Sequence, residues 1–278
     1  MNVMQLIVVA CIGVGAATLL AGAPLAAAAD APTAPAQTAP AKAPAAKPEV
    51  AKGAPAKVQV DAEALAAMSK MAAYLHTLQS IKVVMETQRD EVDNFGQLLT
   101  FGGETTYKAK NPDAFVIDVV EDRKARQYIY DGKTLTIFAP RIGYYAKIPA
   151  PPTIRETLDL AYTKFGITVP LDDLFAWNRG DADHKNLTSA HVVGPAKVAG
   201  RDTMHYAFRQ PGIDWQIWIA KGDKPLPLKV EVVASSDPAR PQFEADLTWD
   251  TTETFAAGTF AFTPPADAKQ IPIQSIAR

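Results

Sequence analysis

The 278-residue chain balances 28 Lys and Arg against 30 Asp and Glu, a formal charge of −2, and holds one cysteine, Cys11. Residues 1–58 set Lys42, Lys47, Lys52 and Lys57 against Asp30 and Glu49, so that segment is +2 and the remainder −4, with no basic run to serve nucleic acid. A lone cysteine so near the start excludes disulfides, thiolate catalysis and cysteine-ligated zinc from the rest of the chain.

Residues 1–29 are apolar or small and end in Leu25-Ala26-Ala27-Ala28-Ala29, which fits a secretory signal cleaved near Asp30. No Lys or Arg opens the segment, and Gly13, Gly15, Gly22 and Pro24 interrupt it. Retention as a membrane anchor and lipid attachment at Cys11 are the alternatives. Export of a cysteine-free chain points to the bacterial periplasm. Residues 30–58 are an Ala/Pro/Lys tract in which frequent Pro prevents helix and nothing large can be buried, so they form an extended linker. Residues 59–278 remain, roughly 220, enough for one large domain with a substantial core.

That domain opens with a helix. Asp61 can cap it, and Leu65, Met68, Met71 or Ala72, Leu75 and Leu78 recur every three to four residues to about Gln79. Period-two segments follow. Ile81, Val83, Met85 and Thr87 alternate with Lys82, Val84 and Glu86; Asn94-Phe95-Gly96 turns the chain; Leu98 to Tyr107 returns, with Gly102-Gly103 suggesting a bulge or bend. After Asn111-Pro112-Asp113, Phe115, Ile117 and Val119 make an inward face. Tyr128-Ile129-Tyr130, Asp131-Gly132 and Leu135 to Phe138 form the strongest hairpin signal, and Pro140 to Gly143 leads into Tyr144–Ile148.

The meander is then interrupted. Thr153 with Glu156 three residues on is a capping box, Ile154, Leu158, Ala161, Tyr162 and Phe165 share a face, and Gly166 stops the helix. Pro170 starts a shorter helix over Leu171–Phe175. Strands resume at His191–Gly194, then Met204, Tyr206 and Phe208, then Ile213, Trp215, Ile217 and Ile219, then Val230 and Val232, closing with Phe243, Ala245, Leu247 and Trp249. Neighbouring antiparallel strands with one greasy face need cover, and the amphipathic helices are the nearest cover available.

Three stretches carry a resemblance: YIYDGKTLTIFAPRIGYYAKIPAPPTI, YAFRQPGIDWQIWIAKGDKPLPLKVEV and FAFTPPADAK. They resemble a family of predicted bacterial periplasmic proteins, DUF2092, and more distantly lipoprotein-sorting carriers of the LolA type, over about residues 61–272. The resemblance implies an α+β fold: a single, strongly curved antiparallel half-barrel with helices plugging its concave side and a hydrophobic cavity between. The same fold serves lipid-sensing regulators of envelope stress.

No catalytic constellation competes with that expectation. His76, His184, His191 and His205 lack ligand spacing, and no nucleophile elbow or phosphate loop occurs. Asp181, Asp183 and His184 crowd one loop but carry no calcium signature, and Arg209-Gln210-Pro211 with Asp214 reads as a turn or a polar rim. Glu156, Asp159, Asp172 and Asp173 are the acidic residues a hydrolase would need, and they read as a solvated helix face. The candidate cavity residues are Met68, Met71 and Leu75 on the first helix, Leu158 and Tyr162 on the second, Phe115, Ile117, Tyr128 and Tyr130 on early strands, and Tyr206, Phe208, Trp215, Ile217, Phe243 and Trp249 on late ones, with Trp218 beside them. The expected function is a non-enzymatic, cofactor-free, monomeric carrier or sensor for a lipid, acyl chain or acylated protein. An envelope regulator acting through a protein partner is the alternative, and a hydrolase the third reading.

Overall fold

The computed structural model describes residues 59–169 and 186–276. The expected leader, the linker, the short helix at Leu171–Phe175 and the Asp181–His184 loop lie outside the described residues.

The chain runs β1 (Gln59–Val60), α1 (Ala62–Thr77), β2 (Ser80–Val92), β3 (Leu98–Lys110), β4 (Ala114–Glu121), β5 (Ala125–Tyr130), β6 (Thr134–Ala139), β7 (Tyr144–Pro149), α2 (Ile154–Phe165), β8 (Ser189–Val198), β9 (Arg201–Gln210), β10 (Ile213–Ala220), β11 (Pro227–Ala234), β12 (Gln242–Asp250) and β13 (Lys269–Gln270). All the described strands join one sheet in the order β1-β8-β9-β10-β11-β12-β2-β3-β4-β5-β6-β7-β13. Strands β2 to β12 are antiparallel neighbours, while the two-residue β1 and β13 run parallel to the outermost long strands and blunt their edges. The ends do not pair, so the sheet is a half-barrel and not a closed one.

Local chemistry places the helices where the sequence predicts them. Asp61 caps α1, its carboxylate accepting from the Glu63 N–H at 2.8 Å. Thr153 caps α2 in the same way from Glu156, whose carboxylate accepts in return from the Thr153 hydroxyl at 2.8 Å, and Gly166 ends α2 in the left-handed conformation.

Register shows that both helices cover the same face. Ile81, Ala109, Phe115, Tyr130, Leu135 and Ile148 stand side by side across β2 to β7, and Trp249, Val83, Tyr107, Ile117, Tyr128, Ile137 and Ala146 form the next row from β12. The β12–β2 pairing joins segments some 150 residues apart and makes one surface from two runs of strands. Under α1 the apolar interior gathers Met68, Met71 and Leu75 with the late strands; under α2 it gathers Phe115, Ile117, Tyr130 and Ala161.

The glycine pair in β3 behaves differently from the sequence expectation. Pairing runs unbroken through Thr87–Gly103 and Gln88–Gly102, so no bulge exists there. A Cβ on Gly103 would meet the Glu121 Cγ at 2.9 Å and the Val120 carbonyl at 3.0 Å, so the glycine serves a close approach between strands. The register shifts fall instead at Val192/Gly194 and Trp218/Ile219.

After β12 the chain crosses the β7 edge. Phe262 packs on Phe138 and Tyr145 with ring centroids 5.5 and 5.2 Å away, β13 pairs with β7, and Ile273 reaches the interior beneath α2. The Ile276 N–H then donates to the Lys164 carbonyl at 2.9 Å, fastening the end of α2.

Candidate functional site

Where the two apolar interiors meet, packing is incomplete. Tyr107 and Ala109 touch both, and beside them lies a cavity of about 520 Å³. Its floor is Ile81, Tyr107, Ala109, Phe115 and Ile117 from β2, β3 and β4; its walls are Leu75 from α1 and Ile154 and Leu158 from α2, with Val169 beyond. The volume falls within the ~300–1,000 Å³ of ordinary small-molecule pockets.

The β3–β4 turn frames this space by holding both helices. The Asn111 side-chain amide donates to the Leu78 carbonyl at 2.6 Å and its backbone N–H to the Gln79 carbonyl at 2.8 Å, just past α1. The Ile154 N–H, first in α2, donates to the Pro112 carbonyl at 2.8 Å. The helix ends therefore meet one turn, and the gap between them opens over the floor. Its rim is polar: exposed His76, Gln79, Asn111 and Arg155, with half-buried Thr153. Arg155 lies 3.9 Å from Asp159, a long i,i+4 contact between two exposed groups. The arrangement is an apolar pocket with a hydrogen-bonding mouth, suited to a molecule with an oily body and a polar end.

Of the candidates named from sequence, Leu75, Phe115, Ile117 and Leu158 line the cavity. Met68, Met71, Tyr206, Phe208, Trp215, Ile217 and Phe243 are buried together under α1. Within that packing Phe208 and Trp215, direct cross-strand partners, stack at 4.0 Å, and Trp249 donates its indole N–H to the Pro227 carbonyl at 2.7 Å. Tyr130 is fully buried and gives its hydroxyl to the Pro151 carbonyl; Tyr128 packs beside it, and burial pushes its hydroxyl above the usual range. Tyr162 is half-buried on α2, outside the lining. Trp218 is on the other face, stacked on His205 at 4.0 Å with the Lys229 ammonium 5.6 Å from its ring.

Sequence reasoning missed Ile81, Tyr107, Ala109, Ile154, Val169 and the whole polar rim. The signal available was Ala109, a small residue flanked in register by Ile81 and Phe115, where a larger side chain would close the hole.

Arg209 and Asp214 are settled as a turn pair. The carboxylate accepts from Arg209 Nε at 2.6 Å and Nη2 at 2.9 Å, with Arg240 at 3.5 Å, in the β9–β10 hairpin head. The Arg209 hydrogen bonds hold the Asp214 carboxyl below the usual carboxylate range, against an opposing push from burial. A depressed carboxyl contributes stability that is complete above its unfolded value of about 3.9 and is lost as pH falls through the folded value. Thermal midpoints of Asp214→Asn should therefore lie below the parent's at neutral pH and begin to converge with them only as pH falls below about 4. A constant offset at every pH would contradict this.

A model of the family described as "Predicted periplasmic protein (DUF2092)" matches residues 64–274. No curated protein matches the chain. Among solved structures, an uncharacterized conserved protein from Thermus thermophilus is similar at 10% identity and a TM-score of 0.44, over 76% of this chain and 99% of that one. Lipoprotein LppX of Mycobacterium tuberculosis is similar at 12% identity and 0.43, over 70% and 98%. LprF of Mycobacterium bovis is similar at 15% identity and 0.40, over 76% and 100%.

Proposed function

This chain belongs to the DUF2092 family of predicted periplasmic proteins, and from that membership and its cavity we propose that it is a non-enzymatic periplasmic carrier or sensor for a lipid, acyl chain or acylated protein. The observation that carries the reading is the 520 Å³ hollow between α1 and α2, floored by apolar residues and rimmed by His76, Gln79, Asn111 and Arg155. Each Å² of ligand hydrocarbon taken from water there contributes about 25 cal/mol before the costs of association. The rim then fixes which end of the ligand faces out.

The lining favours shelter over turnover. Among the described residues that line it none is acidic, and the Thr153 hydroxyl is engaged with Glu156 as a helix cap. General acid–base hydrolysis of the two-carboxylate kind needs an acidic pair within hydrogen-bond reach of a bound substrate, and the described lining holds no carboxylate. Native mass spectrometry with lipid extraction, on protein purified from its own envelope, tests the proposal. An amphiphile with an acyl chain should travel with the protein, and a consistently empty pocket would overturn the carrier-or-sensor reading.

A further inference from the structure

At the end of the sheet remote from the cavity, the β2–β3 hairpin presents a phenylalanine to solvent. Phe95 is 94% exposed, and Val92 and Leu98, facing each other across the last rung, are 39% and 43% exposed. The tip is built to hold them there. One Asp93 carboxylate oxygen accepts from both the Phe95 and Gln97 N–H groups at 2.8 Å. The Asp93 N–H donates to the Gln97 carbonyl at 2.9 Å, and Gly96 supplies the positive φ that closes the turn. A hydrogen-bonded turn that leaves its one aromatic outside spends order on display.

The hairpin also overhangs its neighbours. β12 pairs with β2 only as far as Arg89, and β4 with β3 only as far as Gly103, while β2 and β3 continue together to Val92 and Leu98. The overhang is about three residues on β2, roughly 10 Å of strand. Two more turns end at this level. The Arg141 guanidinium donates to the Glu121 and Asp122 carbonyls at 2.7 and 2.9 Å, tying the β6–β7 turn to the β4–β5 turn. Ile142 is 61% exposed, and the Arg123 and Lys124 side chains of the β4–β5 turn are solvent-facing while they pair with Glu91 and Glu121. The acids here are engaged: Glu91 and Glu121 with Arg89, Arg123 and Lys124, Asp90 with the Thr100 hydroxyl at 2.6 Å and the Gln242 N–H at 3.2 Å, Asp93 in the turn, Asp122 with the Gly102 N–H at 2.9 Å.

We propose that this row of hairpin tips, led by Phe95, docks the protein reversibly on a lipid bilayer surface. Area decides against a protein partner. A stable protein interface buries roughly 800 Å² per partner, and an aromatic side chain offers only ~150–250 Å². A row of tips with one exposed ring and the separate aliphatic side chains of Val92, Leu98 and Ile142 falls short of that, whereas a bilayer interface accepts isolated aromatic and aliphatic side chains flanked by Lys and Arg. The family's periplasmic description places a membrane on either side.

Flotation of the full chain with phosphatidylethanolamine–phosphatidylglycerol vesicles tests this, comparing the parent with Phe95→Asp. Both carry the same residues 1–58, so the difference belongs to the tip. Phe95→Asp should weaken vesicle binding about tenfold or more at an unchanged thermal midpoint. Emission from the indole of Phe95→Trp should be quenched by brominated lipids. Equal flotation of Phe95→Asp and parent, or no brominated-lipid quenching at position 95, would overturn the proposal. Phe95→Asp keeps the cavity intact, so its bound amphiphile, read by native mass spectrometry, reports on the carrier-or-sensor reading separately.

Discussion

Ala109→Trp should abolish retention of the amphiphile proposed for the cavity while leaving the domain folded. Ala109 stands in register between Ile81 and Phe115, and all three line the hollow, so an indole added there projects into space and not into a packed neighbour. Overpacking a full core costs about 1–3 kcal/mol. Filling a preformed hole avoids most of that, so the thermal midpoint should hold or rise while retained lipid falls about tenfold.

The control is Ile217→Val. Ile217 is completely buried in the packing beneath α1, away from the cavity lining. Removing one methylene there should cost about 1 kcal/mol, a drop of about 2–4 °C in thermal midpoint for a domain of this size. Its lipid content should equal the parent's. The opposite pattern, lipid kept by Ala109→Trp and lost by Ile217→Val, would move the binding site under α1 and sink the assignment of the cavity. Native mass spectrometry and calorimetry on the same samples read both quantities.

Local signals made most elements legible. The capping box at Thr153 and Glu156, the stop at Gly166 and the stripe through Met68, Met71 and Leu75 each involve residues within one or two turns, and α1 and α2 form where those residues place them. Period-two alternation likewise identified which side of each strand is greasy: Ile213, Trp215, Ile217 and Ile219 all face inward. What alternation cannot carry is which helix covers which stretch of that face. Trp215 and Leu158 are both inward apolar residues, yet one is sealed beneath α1 and the other opens on a hollow. That difference depends on β12 pairing with β2 and on one turn, Asn111–Asp113, holding both helix ends. The glycines in β3 fail for a related reason. A close approach to Glu121 and a bulge both require a missing side chain, and only the register distinguishes them.

Arg89→Met should destabilise this sheet severely. Arg89 continues the inward row of β2 beyond Met85 and Thr87, level with Phe243 on β12 and Phe101 on β3, and is only 8% exposed. Its guanidinium donates to Glu121 at 3.1–3.2 Å and to Glu91, and Glu91 in turn receives Arg123 at 2.9 Å. Arg123 stacks over Phe101 at 4.5 Å. Methionine matches the stem of Arg89 but leaves Glu121, itself 12% exposed at the side chain, with the Lys124 ammonium at 3.4 Å as its remaining ion-pair partner among the described residues. Breaking a buried pair from one side costs about 3–5 kcal/mol, which here means a fall of roughly 10 °C or more. The cost belongs to the stranded carboxylate and not to the lost attraction, so Arg89→Met combined with Glu121→Leu should recover most of it. A surface pair behaves otherwise: its loss costs at most about 1 kcal/mol and fades with salt. Denaturant titrations of the parent, single and double variants at low and high salt separate the two cases. A double variant no more stable than the single, or a single-variant loss that disappears in salt, would show that this end of the sheet is not held by a sealed charge cluster.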